Sequence, residues 1–382
     1  MPVSPAMAED LAREVGTLYR DAESALLELL ATALAEGIDS PRWAELKLRS
    51  IGDLRAAVER VTDALQTDTD GAVRRALITA YGRGRQAAVA ELGALDIGRE
   101  LVARDTVPNA PAVDRLAASL AEDTRPVYQR ITRAVVDIYR RITGQAAGTQ
   151  LLTGMTRRQA SQRALDQFAS RGVTAFTDSS GRRWEMASYA EMAVRSVTAR
   201  AAVEGHIDAL GEIGVGLVMV SNSPLECERC RPWEGEVLSL GPESGPRTIR
   251  AESLIQPTGW RAAFRPPETV AVHVAGSLVE ARATGLFHPN CRHSLGAYLP
   301  GVTTRPPHHP TPQTSYGDTQ RQREIERHIR RWKRVKAAAM DDAARRRAES
   351  FVRKWQAAQR KHIAAHPVLR RQPEREQIGS AR

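Results

Sequence analysis

All three cysteines of this 382-residue chain fall in two short clusters about sixty residues apart, Cys227-Glu-Arg-Cys230-Arg-Pro-Trp233-Glu-Gly235 and Phe287-His288-Pro-Asn290-Cys291-Arg-His293. A Cys-x-x-Cys turn can offer two thiolates to one ion, and His-x-x-Cys-x-His supplies a third sulfur and a choice of two imidazoles. Cys227, Cys230 and Cys291, with either His288 or His293, make a Cys3His set of the kind that holds a structural zinc. This constrains the fold more than any other feature, because two distant stretches must meet. Two plainer readings stay open: a local disulfide between Cys227 and Cys230, or small buried side chains that bind nothing. A catalytic zinc needs an open coordination position and a general base. Glu226, Glu228 and Glu234 are close in sequence, but neither His-Glu-x-x-His nor His-x-Glu followed by Pro-Cys-x-x-Cys is present. The clusters read as a clasp, and no enzymatic activity is expected.

The residues between them support that reading. Val215 to Ser221 is a β-rich apolar run leading into Cys227, and Val237 to Leu240 and Thr269 to Val274 are strand candidates separated by a Pro- and Gly-rich loop. So long a loop loses conformational entropy on folding and needs its ends tied. A metal would tie them, with Trp233, Trp260 and Phe264 packed over a small sheet.

These motifs carry a family resemblance. Cys227-x-x-Cys230-x-x-Trp233-Glu-Gly235-x-Val-x-Ser239, then Gly285-Leu-Phe-His-Pro-Asn-Cys-Arg-His-Ser294 and Tyr298-x-Pro-Gly301, resemble the phage minor capsid proteins related to the Mu F-type head morphogenesis proteins of tailed bacteriophages. The resemblance continues upstream through Asp178-Ser-Ser-Gly-Arg-Arg-Trp184 to Met192 and downstream from Tyr316 to Lys333, covering roughly residues 175 to 335. It implies a low-copy virion component on the inside of the head near the portal, present in the host cytoplasm during assembly. The implied partners are the portal protein and other head proteins.

Elsewhere the chain reads as helical. Aromatics make up only 5% of it, and its apolar residues are mainly Ala, Leu and Val, which suits helical layers better than a sandwich. Leu11, Val15, Leu18, Ala22, Leu26 and Leu30 have helical spacing, with Gly37 as a stop. A second helix is expected from Pro41 until Thr67-Asp-Thr-Asp-Gly71 breaks it, and a third from Val73, weakened at Gly82 and Gly84 by roughly 1 kcal/mol each. After a break at Thr106 to Pro111, the stripe Val127, Ile131, Val135, Ile138 and Ile142 marks a long core helix. Thr156 to Gln159 and Ser188 to Glu191 have the form of capping boxes, and Phe176 and Arg182 flank a hairpin turn. The expected class is α+β: a mainly helical head-interaction region (1–150), a small mixed domain with the Cys/His clasp (151–301), a Pro-rich linker (302–316) and a basic helical tail (317–382).

Net charge sharpens the picture of the tail. From Arg321 to Arg382 there are 19 Lys and Arg against 7 Asp and Glu, a net of +12, so the rest of the +10 chain carries about −2. Arg321, Arg323, Arg327, Arg330, Arg331, Lys333 and Arg334 are the candidate contacts to double-stranded DNA, sequence-indifferent and salt-sensitive. Alternatively they form a solvated helix paired with Glu324 and Glu326, or dock on an acidic head protein. Ile325, Ile329, Trp332 and Val335 give its apolar side, Phe351 and Trp355 belong to a second basic helix, and a frayed end is expected from Pro367. His308 and His309 read as a solvated turn. No membrane span or signal peptide is expected. The competing reading is a metal-stabilised nuclease in which His288, Asn290 and His293 imitate a His-Asn-His motif, or a DNA-binding protein without sequence preference.

Overall fold

The structure is a computed structural model, and it describes residues 6–92, 111–153, 155–171, 176–177, 183–184, 186–223, 228–253, 268–288, 291, 293–304 and 316–378. In chain order the elements are helices α1 (Ala6–Ala35), α2 (Trp43–Arg49), α3 (Ile51–Leu92), α4 (Pro111–Thr153) and α5 (Arg157–Arg171), strands β1 (Phe176–Thr177) and β2 (Arg183–Trp184), and helix α6 (Met186–Glu212). There follow β3 (Leu217–Val220), β4 (Val237–Ser239), β5 (Arg247–Glu252), β6 (Thr269–Val274), β7 (Gly276–Ser277), α7 (Leu278–Ala283), β8 (Leu295–Ala297), α8 (Tyr316–Ala337) and α9 (Asp342–Ala365). The class is α+β. The chain divides into two compact units, one made of Met1–Ala12, Val73–Ser119 and Met192–Thr311, the other of Arg13–Ala72, Leu120–Glu191 and Pro312–Arg382.

In the second unit the expected apolar stripes are buried, from Val15, Ala22, Leu26 and Leu30 in α1 to Ile131, Val135 and Ile142 in α4. Gly37, at φ 60°, ends α1 in the left-handed conformation. Trp43 is fully buried and donates its indole N–H to the Leu34 carbonyl at 3.1 Å, satisfying one of the acceptors that a helix end leaves open. The break expected at Thr67 to Gly71 does not occur, because α3 runs straight through it. Leu54, Val58, Thr62, Leu65, Thr69, Ala72 and Ala76 are all buried, so the three-and-four period crosses the polar run with Thr69 in an apolar place. Thr67 meanwhile turns its hydroxyl onto the Asp63 carbonyl at 3.0 Å. Burial along the stripe overrides the weak local preference of Thr, Asp and Gly.

The capping box at Thr156 is present in both directions, with Gln159 N–H donating to Thr156 Oγ1 at 3.2 Å and Thr156 N–H to Gln159 Oε1 at 3.0 Å. Helix α6 begins at Met186, two residues before the start expected at Ser188, and Glu191 pairs with Arg20 at 3.1 Å. Strands β1 and β2 form the expected hairpin. Helices α8 and α9 pack together through two aromatic stacks, His328 on Trp355 at 3.9 Å and Trp332 on Phe351 at 4.0 Å. The end expected to fray is docked instead. Gln322 donates to the Arg370 carbonyl at 2.8 Å, Arg330 donates to that of Arg375, and Glu376 is buried in an ion pair with Arg371.

In the first unit, β3 pairs antiparallel with both β4 and β8, and β7 adds parallel to β4, giving the order β7-β4-β3-β8. A separate ribbon pairs β5 with β6, and its Val272 and Val274 share a core with Val237. The expected Pro- and Gly-rich loop therefore contains a strand, β5, whose alternation of exposed and half-buried side chains lacks the apolar content that marks the others. Near the end of α3, Glu91 bonds the His206 imidazole at 2.9 Å and accepts the Ala297 N–H at 3.0 Å, tying β8 to α6.

Candidate metal centre and charged tail

The sheet register explains why the two clusters meet. Val220, at the end of β3, faces Leu295, at the start of β8, so the chain leaving β3 and the chain entering β8 lie at one end of the sheet. Ser221 and Ser294 extend the pairing with two bonds of 2.9 Å. Beyond β3, Cys230 caps a 3-10 turn at Arg231–Trp233, and Gly235 brings the chain back to Val220 as β4 begins. The Arg229 side chain lies over Gly285, which sits at φ 116°, and Phe287 at φ 61° aims the following His288. Trp233 donates its indole N–H to Thr284 at 3.1 Å, fastening the two loops again.

At their meeting point Cys230, His288 and Cys291 bring their donor atoms within 4.8 Å of one another, near enough to hold a metal ion. The Cys230 and Cys291 sulfurs are 3.6 Å apart. A disulfide requires about 2.05 Å. A tetrahedral ion with metal–sulfur bonds of about 2.3 Å sets its sulfurs about 3.8 Å apart, so this spacing matches two thiolates on one zinc. The remaining donor is soft or borderline, as zinc prefers.

His293 stands beside this trio. Its Nδ1 is 3.3 Å from Cys291 Sγ and its Nε2 is 2.6 Å from Glu234 Oε1, and His293 and Glu234 side chains are 2% and 4% exposed. Glu234 also accepts the Ser223 N–H at 2.9 Å. Hydrogen bonding to the Cys230 thiol, helped by His293 against the opposing effect of burial, lowers the Cys291 pKa to about 4. Burial opposes charge on His293, but Cys291 and Glu234 outweigh it and raise its pKa. The result is a thiolate held ready for a cation, with a buried carboxylate orienting the neighbouring imidazole. Glu234 was legible only as a nearby acid; its place in the Trp-Glu-Gly turn four residues after Cys230 is the trace it leaves in sequence. Cys227, Glu226, Asn290, Trp260, Phe264, His308 and His309 lie outside the described residues, and Glu228 is exposed.

The seven candidate residues on α8, which also carries Lys336, are not one surface. Arg321, Arg327 and Arg331 are exposed, and Arg321 is paired with Glu324. Arg323, Arg330 and Lys333 are half-buried; Arg330 holds the Arg375 carbonyl, Lys333 reaches Gln377 at 3.2 Å, and burial lowers the Lys333 pKa. Arg334 corrects the sequence reading most clearly. Only 1% exposed, it donates to the Ala169 carbonyl at 3.0 Å and lies 4.0 Å from buried Glu23. It faces the interior because α8 packs on α5 as well as on α9, leaving a narrow outward sector.

Comparison with known proteins extends the motif resemblance over almost the whole chain. The chain belongs to the family described as phage minor capsid protein 2, whose model matches residues 3–364 and so takes in the N-terminal helices as well as the clasp. A structural protein of Lactococcus phage LL-H is 25% identical over 219 residues, which are 56% of this chain and 54% of that protein; the chain thus spans about half the length of this relative. No solved structure matches. No described helix is long and apolar enough to cross a membrane.

Proposed function

We propose that the protein is a low-copy structural component of a phage head, placed near the portal on the inner side of the virion, meeting the portal protein and other head proteins, and assembled from the host cytoplasm. The observation that carries this reading is the family match across residues 3–364. The proposed role is architectural rather than catalytic. The nuclease alternative needs an imidazole presented to substrate, and His293 is buried and held by Glu234 and Cys291.

The same proposal gives the clasp a structural zinc, held by Cys230, Cys291 and His288, with Cys227 as fourth donor by its Cys-x-x-Cys spacing and His293 with Glu234 orienting the Cys291 thiolate. Such an ion can contribute on the order of 10 kcal/mol to a small domain with few core residues. Quantitative mass spectrometry of purified particles tests the head assignment: a few copies per particle are expected, and absence from particles, or a copy number like that of the main shell protein, overturns it. Elemental analysis of freshly purified, reduced protein tests the clasp. About one zinc per chain is expected, lost in Cys230→Ser and Cys291→Ser, and metal-free native protein refutes it.

A further inference from the structure

Helix α9 carries a charge pattern that α8 does not. Apart from Arg345, its Lys and Arg residues recur as adjacent pairs seven apart, Arg346-Arg347, Arg353-Lys354 and Arg360-Lys361, and all six are exposed. Seven residues return nearly to the same face, with a drift of about 20°, and advance about 10.5 Å. Arg346, Arg353 and Arg360 therefore form a nearly straight row about 21 Å long. That row lies opposite the side packed on α8: Arg353 is two positions from Trp355, and so about 160° around the helix from the residue that stacks on His328. Arg347, Lys354 and Lys361 make a second, flanking row, in which Lys354 lies over the Phe351 ring and Arg347 is near enough to Asp166 to act on its charge.

The acids of this helix are engaged elsewhere. Glu349 gives its carboxylate to Lys336 at 2.7 Å while Arg353 acts on its charge from further off, and Asp342 lies 3.9 Å from Arg345. Between its arginines stand Ser350, Ala357 and Ala364, all exposed and small enough to let a partner approach the helix closely. Among the described residues the exposed large apolar ones, Leu46, Leu48, Ile78, Val279, Val302 and Val368, all lie outside α9. A protein interface gains much of its affinity from buried aromatic and apolar anchors, and this face has none to offer. A polyphosphate needs none. Duplex DNA presents one charge per about 1.7 Å, so the row spans about 12 phosphate charges, and guanidinium groups suit phosphate oxygens.

We propose that the outer face of α9 binds duplex DNA through its phosphates, without regard to sequence. The proposal rests on the head-interior reading for where DNA is met, and it moves the contact from α8 to α9. Anisotropy of a labelled mixed-sequence duplex of about 30 base pairs, titrated with the full-length protein from about 50 to 200 mM salt, tests it. Six phosphate contacts give a slope of log K against log salt near −5, and R346Q/R353Q/R360Q should reduce its magnitude by about 3. The control R321Q/R327Q/R331Q, on α8, should change it by less than about 1. Circular dichroism confirms that both triples remain folded. An unchanged slope in the α9 triple, equal losses in both triples, or a preference among duplex sequences overturns the proposal. So does competition by polyglutamate as effective, per charge, as unlabelled duplex, which would make an acidic protein surface the partner. Wild-type protein that ignores DNA at low salt removes this inference and leaves the head assignment standing; absence from particles does the reverse.

Discussion

Replacing Gly84 by alanine sets two effects of opposite sign against each other. Alanine in a helix interior is favoured over glycine by about 1 kcal/mol, so propensity alone makes Gly84→Ala stabilising. The crossing of α3 and α6 argues the other way. A Cβ on Gly84 would lie 1.9 Å from the Ala202 carbonyl oxygen and 2.8 Å from its carbon, and one on Gly205 would lie 2.2 Å from the Tyr81 oxygen. Relief requires the two backbones to part by about 1 Å, since neither neighbour is a side chain that can rotate away; overpacking of this kind costs about 3 kcal/mol, the upper end of the usual range. Parting also stretches the bonds that span this crossing, Tyr81 to Asp208 at 2.7 Å and Arg85 to Glu212 at 2.7 and 3.0 Å. The net expectation is a loss of about 2 kcal/mol, which at a urea m-value of about 2–3 kcal/mol/M lowers the unfolding midpoint by on the order of 1 M. Gly144→Ala, exposed in α4 with nothing within 4 Å of its new methyl, should raise the midpoint by the equivalent of about 0.5–1 kcal/mol. The double variant G84A/G205A should lose less than the sum of its parts, because the helices need to separate only once. If Gly84→Ala rises with Gly144→Ala, the close crossing is refuted.

Other expectations follow from particular contacts. Arg334→Gln should destabilise the fold by about 3–5 kcal/mol in urea unfolding, because it removes the cation beside buried Glu23, while leaving DNA retention per folded molecule unchanged. Glu326 is buried, and desolvation, only partly offset by Arg375, Arg330 and Arg323, raises its pKa above the ordinary 4.5. A raised carboxyl destabilises the native state once pH climbs above the unfolded value, so Glu326→Gln should unfold at higher urea than wild type at neutral pH, with the gain fading as pH falls below about 4.5. A gain that persists at pH 3 would assign the effect to packing. Glu234→Gln should weaken zinc retention about 10- to 100-fold in chelator competition, through the loosened His293, with the secondary structure kept.

How much of this was legible in sequence depends on whether local pattern or tertiary partner decides each element. Helices α1, α4 and α5 follow from stripe and cap because their apolar residues and the Thr156 box already specify face and start. Of the paired clusters, the structure brings Cys230, His288 and Cys291 near enough to hold a metal. What local pattern missed is long-range. Helix α3 continues through Thr67 to Gly71 because Thr69 is buried by other helices, and β5 exists because β6 pairs with it. Arg334 looks identical to Arg331 in a list of basic residues, and only the packing of α5 on α8 separates them.

That separation governs what the tail's charge can do. Cations three or four apart on one helix repel across adjacent turns and weaken it, so an isolated helix cannot easily concentrate charge on one face. Helix α8 buries or pairs Arg321, Arg330 and Arg334 against carbonyls and acids, which spends their charge inside the fold and leaves Arg327 and Arg331 outward. Helix α9 takes the other route. Among its six paired-row cations no two are three or four apart; within each row they stand about 10.5 Å from each other, close to a Debye length at 0.1 M salt, so their repulsion is largely screened. The spacing of seven thus lets α9 keep a full outward row of charge without unfolding itself. The tail's excess of basic residues becomes a binding surface only where that spacing and the side opposite Trp355 coincide.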